Sequence, residues 1–321
     1  MISKLKNKVL SGEEITKEEA LSLVNLEESR TMELLAAANE IKENYQGKKV
    51  DLCSIVSAKA GSCSEDCTFC SQSAHYDTGV NSYPLMAKED ILARAKKMDD
   101  SGAEHFGIVT SGRGVVSDQD FSELIEAFKL IKEETNLEVC ASLGTLDEKR
   151  AQKLSEVGLK RYNHNLETSE SYYSEICTTH SYQDRIKTVK FLKERGMEVC
   201  SGGIIGLGES FADRIELAFT LKELDVDSVP VNILNPVAGT PLADNPKVPP
   251  MEALKTAAIF RFILPTKVIK LCGGREKNLR DLQSLSLLSG INGLLVGNYL
   301  TTEGRAVAED LKMIEDLGLE R

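Results

Sequence analysis

From about residue 50 to the C-terminus, the hydrophobic pattern alternates between two periods. Short runs rich in β-branched and apolar residues read as strands: VDLCSIV (50–56), EHFGIVT (104–110), LEVCASL (137–143) and LKRYNHNL (159–166). Four more follow: MEVCSGGII (197–205), DSVPVNIL (227–234), KVIKLC (267–272) and NGLLV (292–296). Between them lie longer stretches with apolar residues at helical spacing, such as 88–102 and 122–134. Eight strand–helix units over roughly 250 residues predict an α/β fold of the closed (β/α)8, TIM-barrel type. An open doubly wound sheet is the alternative, but the GxGxxG usual in its first βα turn is missing. Residues 1–45 differ: they are rich in Glu, Leu, Ala and Lys, contain no Pro and read as helical throughout. No Pro-, Gly- or Ser-rich linker divides the chain. The expectation is one domain, a barrel over 46–321 with a helical N-terminal extension over 1–45.

Charge narrows the partners. Lys and Arg total 39 against 50 Asp and Glu, for a formal net charge of −11. So acidic a balance disfavours nucleic acid and anionic membrane surfaces, whose phosphates would be repelled. No apolar run reaches the roughly 18 residues of a spanning helix, and the N-terminus has no apolar signal core. A cytoplasmic protein is expected.

The eight cysteines carry the candidate chemistry: 53, 63, 67, 70, 140, 177, 200 and 272. In a cytoplasmic chain they are not expected to pair as disulfides, and singly each fits a small core hydrophobe. Cys63, Cys67 and Cys70 are different. They form a CxxxCxxC triplet directly after the first strand, in GSCSEDCTFCSQSAHY. Three thiolates can hold three irons of a cubane and leave the fourth open to a small molecule. The competitor is zinc, which prefers four closed ligands; His75 is positioned in sequence to be the fourth.

This spacing in this place resembles the radical S-adenosylmethionine superfamily. The resemblance implies a 4Fe-4S cluster on Cys63, Cys67 and Cys70 whose open iron chelates S-adenosylmethionine, with Phe69 packing beside the adenine. It also implies a site at the C-terminal mouth of the barrel. CSGGIIGLGE (200–209) is similar to a further superfamily segment (Gly202, Ile204, Gly206, Glu209), in which Ile204 packs on the adenine.

From Val50 to Leu317 the chain resembles, more narrowly, the biotin synthase family. YNHNLET (162–168) is similar to that family's fourth-strand motif, implying that Asn163 and Asn165 bind the ureido ring of dethiobiotin and Glu167 the ribose hydroxyls. VPVN (229–232) puts Asn232 on the same substrate, and TTHSYQDR (178–185) puts Arg185 on the carboxylate of S-adenosylmethionine. An amide offers a cyclic urea both donor and acceptor, and an Arg fork suits a carboxylate. Without the resemblance, the two Asn would also pass as strand-end caps and Arg185 as a surface residue.

The sequence departs from the family at the auxiliary 2Fe-2S cluster, thought to give up the inserted sulfur. Cys140 and Cys200 match two ligands, and Arg275, in LCGGRE, is matched to the unusual arginine ligand. The second-strand Cys is replaced by Gly107, and a nearby Arg by His105. Cys53 and Cys272 appear instead. Cys53, Cys140, Cys200 and Cys272 lie on the first, third, fifth and seventh strands, and alternate strands of such a barrel share interior layers. That suggests an auxiliary cluster with altered ligation, such as a four-iron one with an extra sulfide. Cys272 and Arg275, three residues apart, cannot both face inward on a regular strand; a bulge at Gly273-Gly274 would be needed. Cys177 is read as a bystander.

The expected activity is insertion of sulfur into dethiobiotin to form biotin, by 5′-deoxyadenosyl radicals from S-adenosylmethionine. Expected partners are dethiobiotin, an electron donor such as flavodoxin or ferredoxin, and a second copy in a homodimer. The alternatives are another radical enzyme on the same barrel, such as a hydrogenase-maturation relative, and a non-catalytic iron–sulfur carrier.

Overall fold

The first strand shows how the chain sorts its faces. In the computed structural model, which describes residues 1–115 and 117–321, β1 (Asp51–Lys59) alternates strictly in burial. Leu52, Ser54, Val56 and Ala58 are buried beneath helices, while Asp51, Cys53, Ile55 and Ser57 take the opposite face, as a period of two requires. The remaining strands are β2 (His105–Thr110), β3 (Glu138–Ser142), β4 (Arg161–Asn163), β5 (Glu198–Cys200), β6 (Gly203–Ile205), β7 (Ser228–Ile233), β8 (Val268–Leu271) and β9 (Gly293–Leu295).

All pair in parallel, in the order β5-β4-β3-β2-β1-β9-β8-β7-β6, and a further β5–β7 pairing closes the ring. β5 and β6 are the two halves of the single strand expected over 197–205. The chain is therefore the expected closed eight-unit barrel, with its fifth strand interrupted at Ser201-Gly202. The cause of the interruption is steric and local. A Cβ on Gly202 would meet the Pro230 carbonyl oxygen at 2.0 Å, and one on Gly203 the Glu167 carbonyl oxygen at 2.4 Å. Neighbouring backbone crosses the strand there, and only glycine lets it pass.

The helices expected between strands are present. α4 (Lys88–Asp100), α5 (Asp118–Glu134), α6 (Glu148–Glu156), α7 (Tyr182–Glu194) and α8 (Phe211–Glu223) return the chain after the first five barrel strands. Ser117, Asp147, Ser181 and Ser210 cap the N-termini of α5 to α8, each accepting from the amide three residues on. α9 (Pro250–Ile263) is buried along most of its length. After β8 the return is two short helices, α10 (Arg275–Leu279) and α11 (Gln283–Leu287); α12 (Val307–Asp316) follows β9.

The N-terminal extension is three helices, α1 (Ile2–Leu10), α2 (Lys17–Val24) and α3 (Thr31–Gln46). α2 packs on α8 and α9, and α3 on α9. Lys42 donates to the Leu287 carbonyl at 2.8 Å, and Asn292, just before β9, donates to Gln46 at 3.0 Å. Among the described residues no helix is long and apolar enough to cross a membrane.

Candidate functional site

The loop after β1 folds back on itself at the C-terminal mouth of the barrel. Gly61 and Ser62 take positive φ (73° and 52°) to start the reversal, and the Ala74 amide donates to the Cys63 carbonyl at 2.7 Å. Asp66 then ties this loop to the segment before α7. Its Oδ1 accepts the Thr178 amide at 2.9 Å and the Thr179 amide at 3.2 Å. Burial opposes ionisation of Asp66, but these hydrogen bonds, led by that from the Thr178 hydroxyl, hold its carboxyl well below the usual carboxylate range.

Cys63, Cys67 and Cys70 from this loop line a cavity of about 220 Å³, together with Phe69, Asn163, Asn165, Glu167, His180 and Arg185. Three segments distant in sequence, 63–70, 163–167 and 180–185, thus meet at one mouth. Arg185, on α7, donates to the Tyr173 hydroxyl at 2.6 Å and to the Asn165 carbonyl at 2.8 Å, leaving Nη2 uncommitted. Glu167 holds a positive φ of 72°, and its Oε2 is buried without a hydrogen-bond partner. Burial raises its carboxyl, against the opposing charge of Arg185. A non-glycine residue in the left-handed region with an orphaned acceptor facing a cavity costs stability that a ligand would restore.

The Asn residues divide. Asn163 makes no side-chain hydrogen bond with any described residue and stands at the cavity wall. Asn165 also lines the cavity, but its Oδ1 accepts the Gly202 amide at 3.2 Å. Asn232 is committed at both ends: it donates to the Gly203 carbonyl at 3.3 Å and accepts the Gly273 amide at 3.0 Å. Ile204 pairs in register with Asn232. Glu209 accepts the Gly206 and Leu207 amides at 2.9 and 2.7 Å and the Arg214 guanidinium at 2.6 Å, so it secures its own loop.

Zinc on the triplet with His75 does not fit. His75 is turned to the Ser64 carbonyl at 2.9 Å. Thiolates on tetrahedral zinc lie about 3.8 Å apart, whereas Cys63, Cys67 and Cys70 are not mutually within 4.8 Å. The wider spread and the all-thiol donor set suit a cluster. Cys177, read from sequence as a bystander, stands beside the triplet: its Sγ lies 3.7 Å from that of Cys67, which donates to it, and 3.2 Å from His180 Nδ1.

Below the mouth, the barrel interior holds a second group. Lys270, on β8 and 1% exposed, donates to Asp51 at 2.5 Å and to Cys53 Sγ at 2.9 Å. Cys272 is two residues further on the same face. Register sets Cys140 opposite Gly107 on one side and Arg161 on the other, and Cys200 opposite Asn163. Cys53, Cys140, Cys200 and Cys272 lie within electrostatic reach of one another, and burial pushes the thiols of Cys53, Cys140 and Cys272 up. Burial also opposes the charges on Lys270 and Arg161, but the surrounding thiols and Asp51 outweigh it and hold both raised. Arg161 Nη1 is buried and without a hydrogen-bond partner. Four thiols and two cations, one of them with an unspent donor, form in this layer a donor set fitted to an anionic cluster.

Two expectations for this layer change. Arg275 is not brought into it. The positive φ of Gly274 (81°) ends the strand geometry, and the guanidinium turns to pair with Asp310 on α12 and to donate to Gln283 at 2.6 Å. The cations among the thiols are Lys270 and Arg161, which no sequence motif marks. His105, for its part, donates to Asp51 at 3.1 Å, at the level of the Lys270–Asp51 pair.

Comparison with known proteins decides the family. Residues 59–221 match the radical SAM superfamily model, and residues 230–320 match the Biotin and Thiamin Synthesis associated domain. The chain is 56% identical over 319 residues to the biotin synthase of Pelotomaculum thermopropionicum, covering 99% of both chains. It is 54% identical to that of Clostridium acetobutylicum, covering 98% of this chain and 96% of that one.

The chain belongs to the biotin synthase family.

That family is one of radical enzymes, and membership brings a 4Fe-4S cluster and S-adenosylmethionine as cofactors. Among solved structures, methylornithine synthase superposes with a TM-score of 0.85 at 23% identity, covering 98% of this chain and 96% of that one. The FeFe-hydrogenase maturase of Carboxydothermus hydrogenoformans gives 0.82 at 20%, covering 99% of this chain and 78% of that one. At such identities the likeness is one of fold, and the hydrogenase-maturation alternative has no more than that behind it.

Proposed function

We propose that this chain converts dethiobiotin to biotin by radical sulfur insertion. The observation that carries the reading is the cavity where the cysteine loop, Asn163, Glu167 and Arg185 meet, in a chain over half identical to biotin synthases along its full length. Cys63, Cys67 and Cys70 hold the 4Fe-4S cluster. When bound, it and S-adenosylmethionine supply the 5′-deoxyadenosyl radical that removes hydrogen from the C9 methyl and C6 methylene carbons, with the auxiliary cluster as the sulfur source.

The protein's share is binding, orientation and exclusion of water. The uncommitted Nη2 of Arg185 takes the carboxylate of S-adenosylmethionine, and the orphaned Oε2 of Glu167 accepts from the ribose hydroxyls. Phe69 and Ile204 pack on the adenine. Asn163 and Asn165 bind the ureido ring. Asn232 joins them from its remaining N–H and lone pair, while also holding backbone together.

Cys53, Cys140, Cys200 and Cys272 would hold the auxiliary cluster, which would supply the sulfur. Lys270 and Arg161 balance the charge, while Arg275, matched from sequence to the arginine ligand, pairs with Asp310 instead. A low-potential carrier such as flavodoxin or ferredoxin supplies electrons in the cytoplasm, to a homodimer. The test is direct. Reduced, cluster-loaded protein given S-adenosylmethionine and dethiobiotin should form biotin and 5′-deoxyadenosine. 5′-Deoxyadenosine without biotin would transfer the chain to another substrate, and neither product would leave an iron–sulfur carrier.

A further inference from the structure

Cys177 and His180 lie outside the triplet, yet they stand against one of its members. Cys67 Sγ and Cys177 Sγ are 3.7 Å apart, and Cys177 Sγ is 3.2 Å from His180 Nδ1. The three ligand atoms lie within 4.8 Å of one another, one of only two such groups among the described residues. The other group, Asp51, Glu104 and His105, is already matched by cations, Asp51 by Lys270 and Glu104 by Lys49. Zinc holds thiolate sulfur at about 2.3 Å and imidazole nitrogen at about 2.0 Å, so tetrahedral ligands sit about 3.5–3.8 Å apart. The Cys67–Cys177 separation has that value, and Cys177 Sγ stands 3.9 Å from His180 Nε2, the ring nitrogen that the Glu65 contact leaves free to ligate.

The surroundings suit a cation. Asp66 Oδ1 is 3.3 Å from Cys177 Sγ, and Glu65 Oε2 is 2.6 Å from His180 Nδ1. Both carboxylates are fixed, Asp66 by two backbone amides and Glu65 by the Thr179 hydroxyl at 2.8 Å. His180 opens onto the cavity, which gives an ion its way in and leaves a fourth position for water.

We infer that the cluster-free protein binds one thiophilic divalent ion, zinc being the type case, through Cys67, Cys177 and His180, and that this ion and the four-iron cluster exclude each other. They cannot coexist because Cys67 would serve both. The exclusion rests on the reading of Cys67 as a cluster ligand; the zinc site does not. Zinc here holds Cys67 away from the cubane, so the loop can be occupied by one ion or by one cluster.

The experiment uses full-length protein prepared without iron, under reductant. Zinc is titrated and counted per chain by elemental analysis, and Co(II) serves as a spectroscopic probe. Wild type should bind one zinc tightly and give the thiolate charge-transfer and d–d bands of tetrahedral Co(II). The double variant Cys63→Ala/Cys70→Ala should lose the 4Fe-4S spectrum and keep the zinc. Cys177→Ser should weaken zinc by at least about a hundredfold, since losing even an outer partner costs 10–100-fold, while still taking up the four-iron cluster. His180→Gln is the second variant should Cys177→Ser fail to fold, and should also weaken zinc. Loss of zinc in the double variant, unchanged affinity in Cys177→Ser or His180→Gln, or no tight zinc in wild type would each overturn the inference. If the zinc site is upheld but zinc does not slow reconstitution of the cluster in wild type, the exclusion fails, and with it the place of Cys67 in the cluster.

Discussion

The mouth and the interior of this barrel both gather cysteines, by opposite means. At the mouth, three thiols come from eight consecutive residues of one loop, and the fold has only to aim that loop. In the interior, four thiols come from strands β1, β3 and β5 and the end of β8, spread over 220 positions of sequence, and only barrel closure assembles them. The mouth is wet, bordered by uncommitted groups such as Asn163 and Arg185 Nη2. The interior is largely buried, and its cations are already paired, Lys270 with Asp51 and Arg161 with Glu198. A local motif can be loaded, emptied and competed for without disturbing the fold. A distributed one is bound up with the stability of the barrel that makes it.

The largest expected effect is at the mouth. Cys63→Ala, Cys67→Ala or Cys70→Ala should each reduce 5′-deoxyadenosine formation to background, because a cubane on three thiolates has no spare ligand. Near-normal yield from any one would break the comparison at its root.

Next is the interior. Cys53→Ser should abolish biotin and the auxiliary-cluster signal in Mössbauer spectra, yet leave 5′-deoxyadenosine formation largely intact. A fully loaded, biotin-forming Cys53→Ala protein would make Cys53 a packing residue only.

Stability should separate the regions as well. Lys270→Met removes one partner of a buried pair and should cost on the order of 3 kcal/mol in denaturant unfolding. Cys63→Ala in the loop should shift the same midpoint hardly at all.

A smaller effect concerns affinity. Asn163→Ala should weaken dethiobiotin by about 1–3 kcal/mol in calorimetry, the cost of a buried urea group left without its partner, with unchanged unfolding. Asn232→Ala should move both affinity and unfolding, since it also holds Gly203 and Gly273.

The effect smallest at neutral pH is a pH slope at His164, which lines the mouth cavity. Burial, aided by the charges of Arg185 and His180, lowers its imidazole from 6.5 to about 3. The unfolded chain therefore binds one more proton between those values, and stability falls as pH falls through that window, by up to about 1.4 kcal/mol per pH unit. His164→Gln should flatten that part of the stability profile and leave it unchanged above pH 7.

How far the sequence discloses each region follows from the same contrast. The triplet is contiguous and needs no fold to be seen. The four interior thiols emerge once strands are counted, because alternation in a barrel is a rule of geometry. Lys270 is hidden, since a Lys in an apolar strand looks the same whether it faces the lumen or a helix, until register is known. Arg275 misleads because two glycines beside it let the chain turn, and the direction of that turn is fixed by Asp310, 35 residues later. Cys177 is legible only as a scattered thiol, because its neighbour Cys67 lies 110 positions away. The break in the fifth strand is written in Gly202-Gly203, but it needs the crossing backbone of Pro230 and Glu167 to explain it.

That break makes the barrel a spliced hoop. At the splice, β5 meets β7 through a single register pair, Cys200 with Ser228, and the carboxamides of Asn165 and Asn232 add to the backbone hydrogen bonds that Ser201 and Gly202 make with Ser228 and Leu166. Cys200 lies on one side of the splice and Ile204 on the other. A hoop under tension opens at its splice, so the amides of Ser201 to Gly203 are where exchange with solvent should first reveal the barrel breathing.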